Sequence, residues 1–231
     1  MKIAIISSSG GSAFSAFYNI SKIFWPNIQY FIITDRPCGI EKIASDFNIP
    51  HTRFEEKDNS LFSKKANDWL SSHQKIDFCF LFFSRLITSD LFNNIPCINL
   101  HESILPSFRG FNALRQAISN QAKFFGTTAH LIDSDVDHGT IIAQASAPLI
   151  PSLSLEKMSS VSFVQKVYLQ LLIVEALSDK DISLSDNIIW PENTLATPQF
   201  SPSLKNNKIK KHIKELISNN EVSSFINPDL I

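Results

Sequence analysis

The residues best equipped for chemistry lie in two short segments. The first, Ile98-Asn99-Leu100-His101-Glu102-Ser103-Ile104-Leu105-Pro106-Ser107-Phe108-Arg109-Gly110, starts at the end of an apolar run and passes into a loop containing Pro and Gly. Residues two apart in an extended strand point to one side, so Asn99 and His101 can face one cleft. An amide NH2 beside an imidazole suits a carbonyl on its way to an oxyanion. Asn99 can donate to the developing negative charge, and His101 can donate a hydrogen bond or shuttle a proton. Taken alone, the triplet reads more readily as a polar strand end with satisfied hydrogen bonds than as a catalytic pair. The second segment, Asp135-Val136-Asp137-His138-Gly139-Thr140, places carboxylates in a turn before the run Ile141-Ile142-Ala143. A carboxylate beside a histidine orients its ring and favours the imidazolium, the form best able to stabilise an oxyanion. By itself, an acidic turn is only a turn.

Positioning such groups requires a scaffold, and the apolar patterning supplies one. Strand-length apolar runs occur at Ile3 to Ile6, Tyr30 to Ile33, Phe78 to Phe83 and Cys97 to Leu100, with helix-like segments between most of them. The run Phe78-Cys79-Phe80-Leu81-Phe82-Phe83 is apolar at every position, as expected of a central parallel strand covered on both faces. After Gly126 the rhythm changes. Thr127 to Ile132 and Ile141 to Ala147 read as two strands around the acidic turn, followed by a helix near Leu155 to Leu177. The expected fold is α/β: a Rossmann-like, doubly wound, mostly parallel sheet with a partly antiparallel C-terminal extension. Residues 1–200 are expected to form a single domain, with a Rossmann-like half over 1–95 and a catalytic and acceptor half over 96–200. Residues 201–231 read as a polar, Lys-rich tail or solvated helix. Open sheets of this kind bind ligands outside the carboxyl ends of their strands, where Asn99 and His101 fall.

Composition narrows the function classes. The 231 residues carry 21 basic and 22 acidic side chains, a formal net charge of -1. That gives no field for holding a phosphate backbone, so nucleic acid is not an expected partner. Cys38, Cys79 and Cys97 share no metal-ligand spacing and read as small hydrophobes in a reducing compartment. His101, His130 and Asp137 likewise lack a recognised ligand spacing, so no metal is expected. The opening MKIAII is too short for a signal-peptide core, and no stretch reads as reaching transmembrane length, which points to a cytoplasmic protein with no membrane partner. Of only six glycines, Gly10 and Gly11 follow the first strand, and Gly110 and Gly139 flank the two polar segments. The loop Ser9-Gly10-Gly11-Ser12 has neither a dinucleotide fingerprint nor the Lys of a P-loop, although amides at a helix N-terminus could hold a phosphate.

Both polar segments together with the loop Ser7-Ser8-Ser9-Gly10-Gly11-Ser12 resemble the folate-dependent formyltransferase family, closest to its glycinamide ribonucleotide transformylase branch. The family signature is Asn-x-His, then a small-residue, Leu-Pro loop ending in Gly, and a later Asp in an acidic turn before Gly. Asn99, His101, Ser103, Leu105, Pro106, Gly110, Asp137 and Gly139 occupy those positions, in order, over residues 1 to about 148. The resemblance implies the formyltransferase fold, 10-formyltetrahydrofolate as co-substrate, Asn99, His101 and Asp137 as the catalytic set, and Thr128 and His130 as supporting residues. It implies a pterin site at Arg85, Leu86 and Ile87 on one side and Ser134, Asp135 and Val136 on the other. It places Gly11 and Ser12 at the acceptor's phosphate, with Arg109, Arg115 and His138 as further candidates for acceptor contact.

The acceptor half departs from the pattern. Ala13 stands where the branch has Asn, His138 replaces a small residue, and the helix after Pro151 aligns Val164-Gln165 with the branch's Glu-His pair, leaving no carboxylate there for the substrate amine. The expected acceptor is therefore a small amine, phosphorylated or nucleotide-linked. Glycinamide ribonucleotide itself is the alternative, and a folate-binding scaffold without turnover the third reading. A monomer or homodimer is expected.

Overall fold

The computed structural model describes residues 1–73, 75–185 and 187–231. By internal contacts the chain divides into two compact units, Met1–Leu100 with Leu131–Asp135, and His101–His130 with Val136–Ile231. In order, the elements of the first unit are β1 (Lys2–Ser7), α1 (Ser12–Phe24), β2 (Gln29–Thr34), α2 (Gly39–Asp46), β3 (His51–Arg53), α3 (Asn59–Ser71), β4 (Phe78–Phe82) and α4 (Ser89–Phe92). Then come β5 (Cys97–His101), α5 (Ala113–Ser119), β6 (Phe124–Leu131), β7 (Ile141–Pro148), α6 (Leu155–Ser178), β8 (Phe200–Ser201) and α7 (Asn207–Asn219). The eight strands form one sheet in the order β3-β2-β1-β4-β5-β6-β7-β8. Pairing is parallel from β3 to β5 and antiparallel between β6 and β7 and between β7 and β8. This is the expected mostly parallel sheet with an antiparallel extension.

The first unit shows why β4 is apolar throughout. Cys79 and Leu81 pack with Ala4, Ile6, Phe31 and Ile33 against Phe62, Ala66 and Leu70 of α3. Phe80 turns to the opposite face, where its ring meets Phe17 of α1 edge-on at 5.9 Å. A strand buried on both faces has no position left for a polar side chain. Cys79 and Cys97 are buried register partners in β4 and β5, and all three cysteines are free, Cys38 being half-buried. The short strands β3 and β8 carry too few residues for a readable pattern.

In the second unit α6 is the central element. It is apolar on nearly every side because almost every side is covered, a pattern expected of a buried core helix. At 24 residues and a mean hydropathy of 1.3 it does reach membrane-spanning length, contrary to the sequence expectation; 78% of that apolar window is buried inside the fold. Tyr168 of α6 stacks on Phe200 at 3.8 Å and accepts a hydrogen bond from the Leu204 amide at 2.8 Å. Glu175 accepts from the amides of Lys205 and Asn206, both at 2.8 Å, just before α7, and burial holds its carboxyl above the usual range. Asn206 then caps α7 by accepting from Lys208 and Ile209. The Lys-rich segment is thus an amphipathic helix: Ile209, Ile213 and Ile217 are buried, as are Val222 and Ile226 after it. The charges crowding its outer face obscure the three-isoleucine stripe in a reading by composition.

Gly126 marks the closest backbone approach. A Cβ there would lie 2.0 Å from the Ala145 carbonyl oxygen and 2.9 Å from Ile104. Rigid strand backbone cannot yield as a flexible side chain can, so Gly126→Ala should cost about 3 kcal/mol of stability, read as a lower urea midpoint. A loss of less than about 1 kcal/mol would contradict the geometry.

Candidate active site

Asp137 sits in the turn between β6 and β7 with φ 50°, a left-handed conformation that Asp tolerates better than most residues. Its Oδ2 accepts a hydrogen bond from the Gly110 amide at 2.8 Å and lies 3.3 Å from Nδ1 of His101. Its Oδ1 lies 3.4 Å from Nε2 of His130, which is fully buried. Strand geometry supplies these neighbours: His101 is the last residue of β5, while Thr128 and His130 alternate along one face of β6. Burial works to raise the Asp137 carboxyl. The hydrogen bonds from His130 and the Gly110 amide, together with the charge of His101, outweigh it and hold the group below its ordinary range. Asp137 is therefore an anion over the whole neutral range.

The other nitrogen of His101 is also committed. Nε2 lies 2.8 Å from the Phe108 carbonyl oxygen, so both ring nitrogens face acceptors. Only a ring with a proton on each nitrogen donates to both. Asn99, half-buried, occupies the middle of β5 in register with Leu81 of β4.

The loop after β5 is pinned from two strands. Thr128 donates to the Ser103 carbonyl at 2.7 Å and accepts from the Leu105 amide at 3.0 Å. Gln144 of β7 donates to the Leu105 carbonyl at 2.9 Å and to Thr128 at 3.1 Å. Sequence reasoning found Thr128 but not Gln144, whose only signal was a glutamine inside an apolar alternation. Arg109, Arg115 and His138 have exposed side chains.

In the first unit, the Arg85 side chain is engaged by neighbouring protein groups. Its guanidinium donates to Asn59 Oδ1 at 2.8 and 3.1 Å and to the carbonyls of Glu56 and Lys57, and it stands 3.7 Å from Asp35. Ile87 is buried, whereas Leu86 is 50% exposed. A contact from this stretch would thus use its main chain and the Leu86 side chain, a combination suited to a flat group with an apolar face and polar edges. Ser134 and Asp135 are exposed, and the Asp135 amide donates to Asp133 at 2.9 Å in a local turn; Val136, in the second unit, is also exposed. Gly11 has φ 78°, and a Cβ there would meet Ile40 at 2.7 Å, so packing alone already requires glycine; Ser12 opens α1 with its side chain exposed.

A carboxylate held between two histidines and a main-chain amide, next to the end of a strand in an open α/β sheet, can orient an imidazole and accept or relay a proton. The formyl transferase family matches residues 1–172, and the chain belongs to that family of formyl-transferring enzymes. A phosphoribosylglycinamide formyltransferase of Bacillus subtilis is 30% identical over 162 residues, 67% of this chain and 83% of that protein. One from Haemophilus influenzae is 30% identical over 93 residues, 40% of this chain and 44% of that protein, so the match spans less than half of that relative's length. Among solved structures, glycinamide ribonucleotide transformylase 1 of Geobacillus kaustophilus is similar with a TM-score of 0.70 at 26% identity, over 76% of this chain and 97% of that one. The fold is shared as well with the Symbiobacterium toebii transformylase, at a TM-score of 0.74 and 20% identity over 83% and 94% of the two chains.

Proposed function

We propose that the chain transfers a formyl group from 10-formyltetrahydrofolate to the primary amine of a small, phosphorylated or nucleotide-linked acceptor in the cytoplasm. The observation that carries this reading is the seat of Asp137, an ionised carboxylate gripped by His101, His130 and the Gly110 amide. The folate supplies the formyl carbon. The main chain and side chain around Leu86 and the turn residues Ser134, Asp135 and Val136 would hold it.

In this reading the neutral amine forms a C–N bond at the formyl carbon, the bond from that carbon to the folate nitrogen breaks, and the proton shed by the amine ends on the departing tetrahydrofolate. Asn99 donates its amide N–H groups to the oxygen that gains negative charge. His101 adds the Nε2–H that it now gives to the Phe108 carbonyl, while Nδ1–H stays on Asp137. Asp137 orients the ring and, through water, relays the proton from the attacking amine to the departing nitrogen. Thr128, His130 and Gln144 hold these groups in place.

Glycinamide ribonucleotide as the acceptor is the second reading, favoured by the Bacillus subtilis and Geobacillus kaustophilus proteins named above. Incubating the chain with 10-formyltetrahydrofolate and a panel of amines, while following tetrahydrofolate release, tests both. Release that depends on one amine identifies the acceptor. Folate binding with release by no amine would leave a scaffold instead of an enzyme.

A further inference from the structure

Beside His101 in sequence stands a carboxylate that the catalytic set does not use. Glu102 directs one oxygen, Oε1, onto α6, where it accepts from Lys166 Nζ at 2.7 Å and from Ser162 Oγ at 3.2 Å. No partner engages Oε2 among the described residues, and the side chain is 38% exposed. Burial tends to raise this carboxyl, but the charge and hydrogen bond of Lys166 overcome it and hold Glu102 ionised. One oxygen is therefore fixed by a cation and a hydroxyl, while the other keeps free lone pairs, one residue beyond the histidine proposed to act on the formyl group.

The contacts continue inward from Glu102. Ser162 lies 3.3 Å from Thr127 Oγ1, and Thr127 donates to Gln165 Oε1 at 3.0 Å. Ser162, Thr127 and Gln165 are fully buried, and among the described residues none pairs with Gln165 Nε2. A buried polar chain of this kind holds Ser162, and through it Glu102, in a fixed position. Lys166 also nearly cancels the Glu102 charge locally, so the free oxygen would select by hydrogen-bond geometry as well as by charge.

We infer that Glu102, anchored by Lys166 and Ser162, is the residue that holds the acceptor's primary amine through Oε2. The inference deepens the formyl-transfer reading and rests on it. It also supplies, from the loop just after β5, the carboxylate that the sequence of α6 lacks. The substrate class it selects is an amine bearing at least two N–H donors; an N-acylated analogue offers one and loses the cation.

The test measures binding separately from turnover. Calorimetric titration of the full chain with glycinamide ribonucleotide, an amino-sugar nucleotide and the N-acetylated form of each, alongside tetrahydrofolate, is compared with Glu102→Gln and Lys166→Met. The wild-type chain should bind one of the amines at least about tenfold more tightly than its N-acetylated form. Glu102→Gln should weaken that amine about tenfold or more, leaving tetrahydrofolate affinity unchanged. Lys166→Met, which frees the carboxylate without removing it, should show a smaller loss. Equal amine affinity in Glu102→Gln, or no amine bound by the wild-type chain, overturns the inference. Failure of the formyl-transfer reading shows itself differently, as absent tetrahydrofolate binding or as an amine bound without any release of tetrahydrofolate.

Discussion

Asp137→Asn should lower turnover by about 10²- to 10⁴-fold and also lower the thermal midpoint at neutral pH, because it removes a carboxylate that three partners stabilise. The substitution keeps the volume of the side chain but removes its charge, and at one of its two positions it presents an NH2 to donors. Gly110, His101 and His130 would then face at most one acceptor oxygen where they now share two. The amine's proton loses its relay, and nothing fixes the second proton on His101. A pH dependence accompanies this effect, and its sign follows from the depressed carboxyl. A group whose folded value lies below its unfolded value contributes stability above the unfolded value and loses it as pH falls through the folded one. The wild-type chain should therefore lose stability relative to Asp137→Asn across the acid range beginning near the ordinary carboxylate value. Urea midpoints of the two chains that run parallel down through that range would contradict it. Turnover reduced less than about tenfold would remove Asp137 from the chemistry.

Asn99→Ala should cost about 10²- to 10³-fold in turnover, with tetrahydrofolate affinity nearly unchanged. An amide donor to a developing oxyanion contributes mostly in the transition state, where its partner carries charge, and little in the ground state. Asn99 is half-buried in β5, paired in register with Leu81, so its place is fixed by a parallel ladder and not by a loop. An equal rise in KM with unchanged kcat would indicate a binding role instead.

Much of this was legible in the sequence, for identifiable reasons. The all-apolar β4 announced a sheet covered on two faces, and Phe80 and Leu81 are divided between α1 and α3 accordingly. The Asn-x-His spacing carried strand alternation, and the acidic turn carried Asp137; the fold brings Asp137 to His101 at 3.3 Å. What escaped was non-local. Gln144 matters because β7 runs antiparallel beside β6, placing it against Thr128. Glu102 and Lys166 are separated by 64 residues, and neither has meaning without the other. The helix expected near Leu155 to Leu177 is α6, Leu155–Ser178, and the burial of its polar Gln165 and Glu175 depends on the packing around it. The hydrogen bonds that tie the Arg85 side chain to the loop before α3 are likewise non-local, and they leave its main chain available for the expected contact.

The central claim is that these residues move a formyl carbon onto an amine, and carbon itself reports it most directly. With 10-formyltetrahydrofolate labelled with ¹³C in the formyl group, magnetic resonance during incubation with the amine panel should show the label leaving the donor. It should appear as the N-formyl amide of one amine, at least about 100-fold faster with the wild-type chain than with Asp137→Asn. Label that remains on a bound donor with every amine, or that leaves only as formate, would contradict the account.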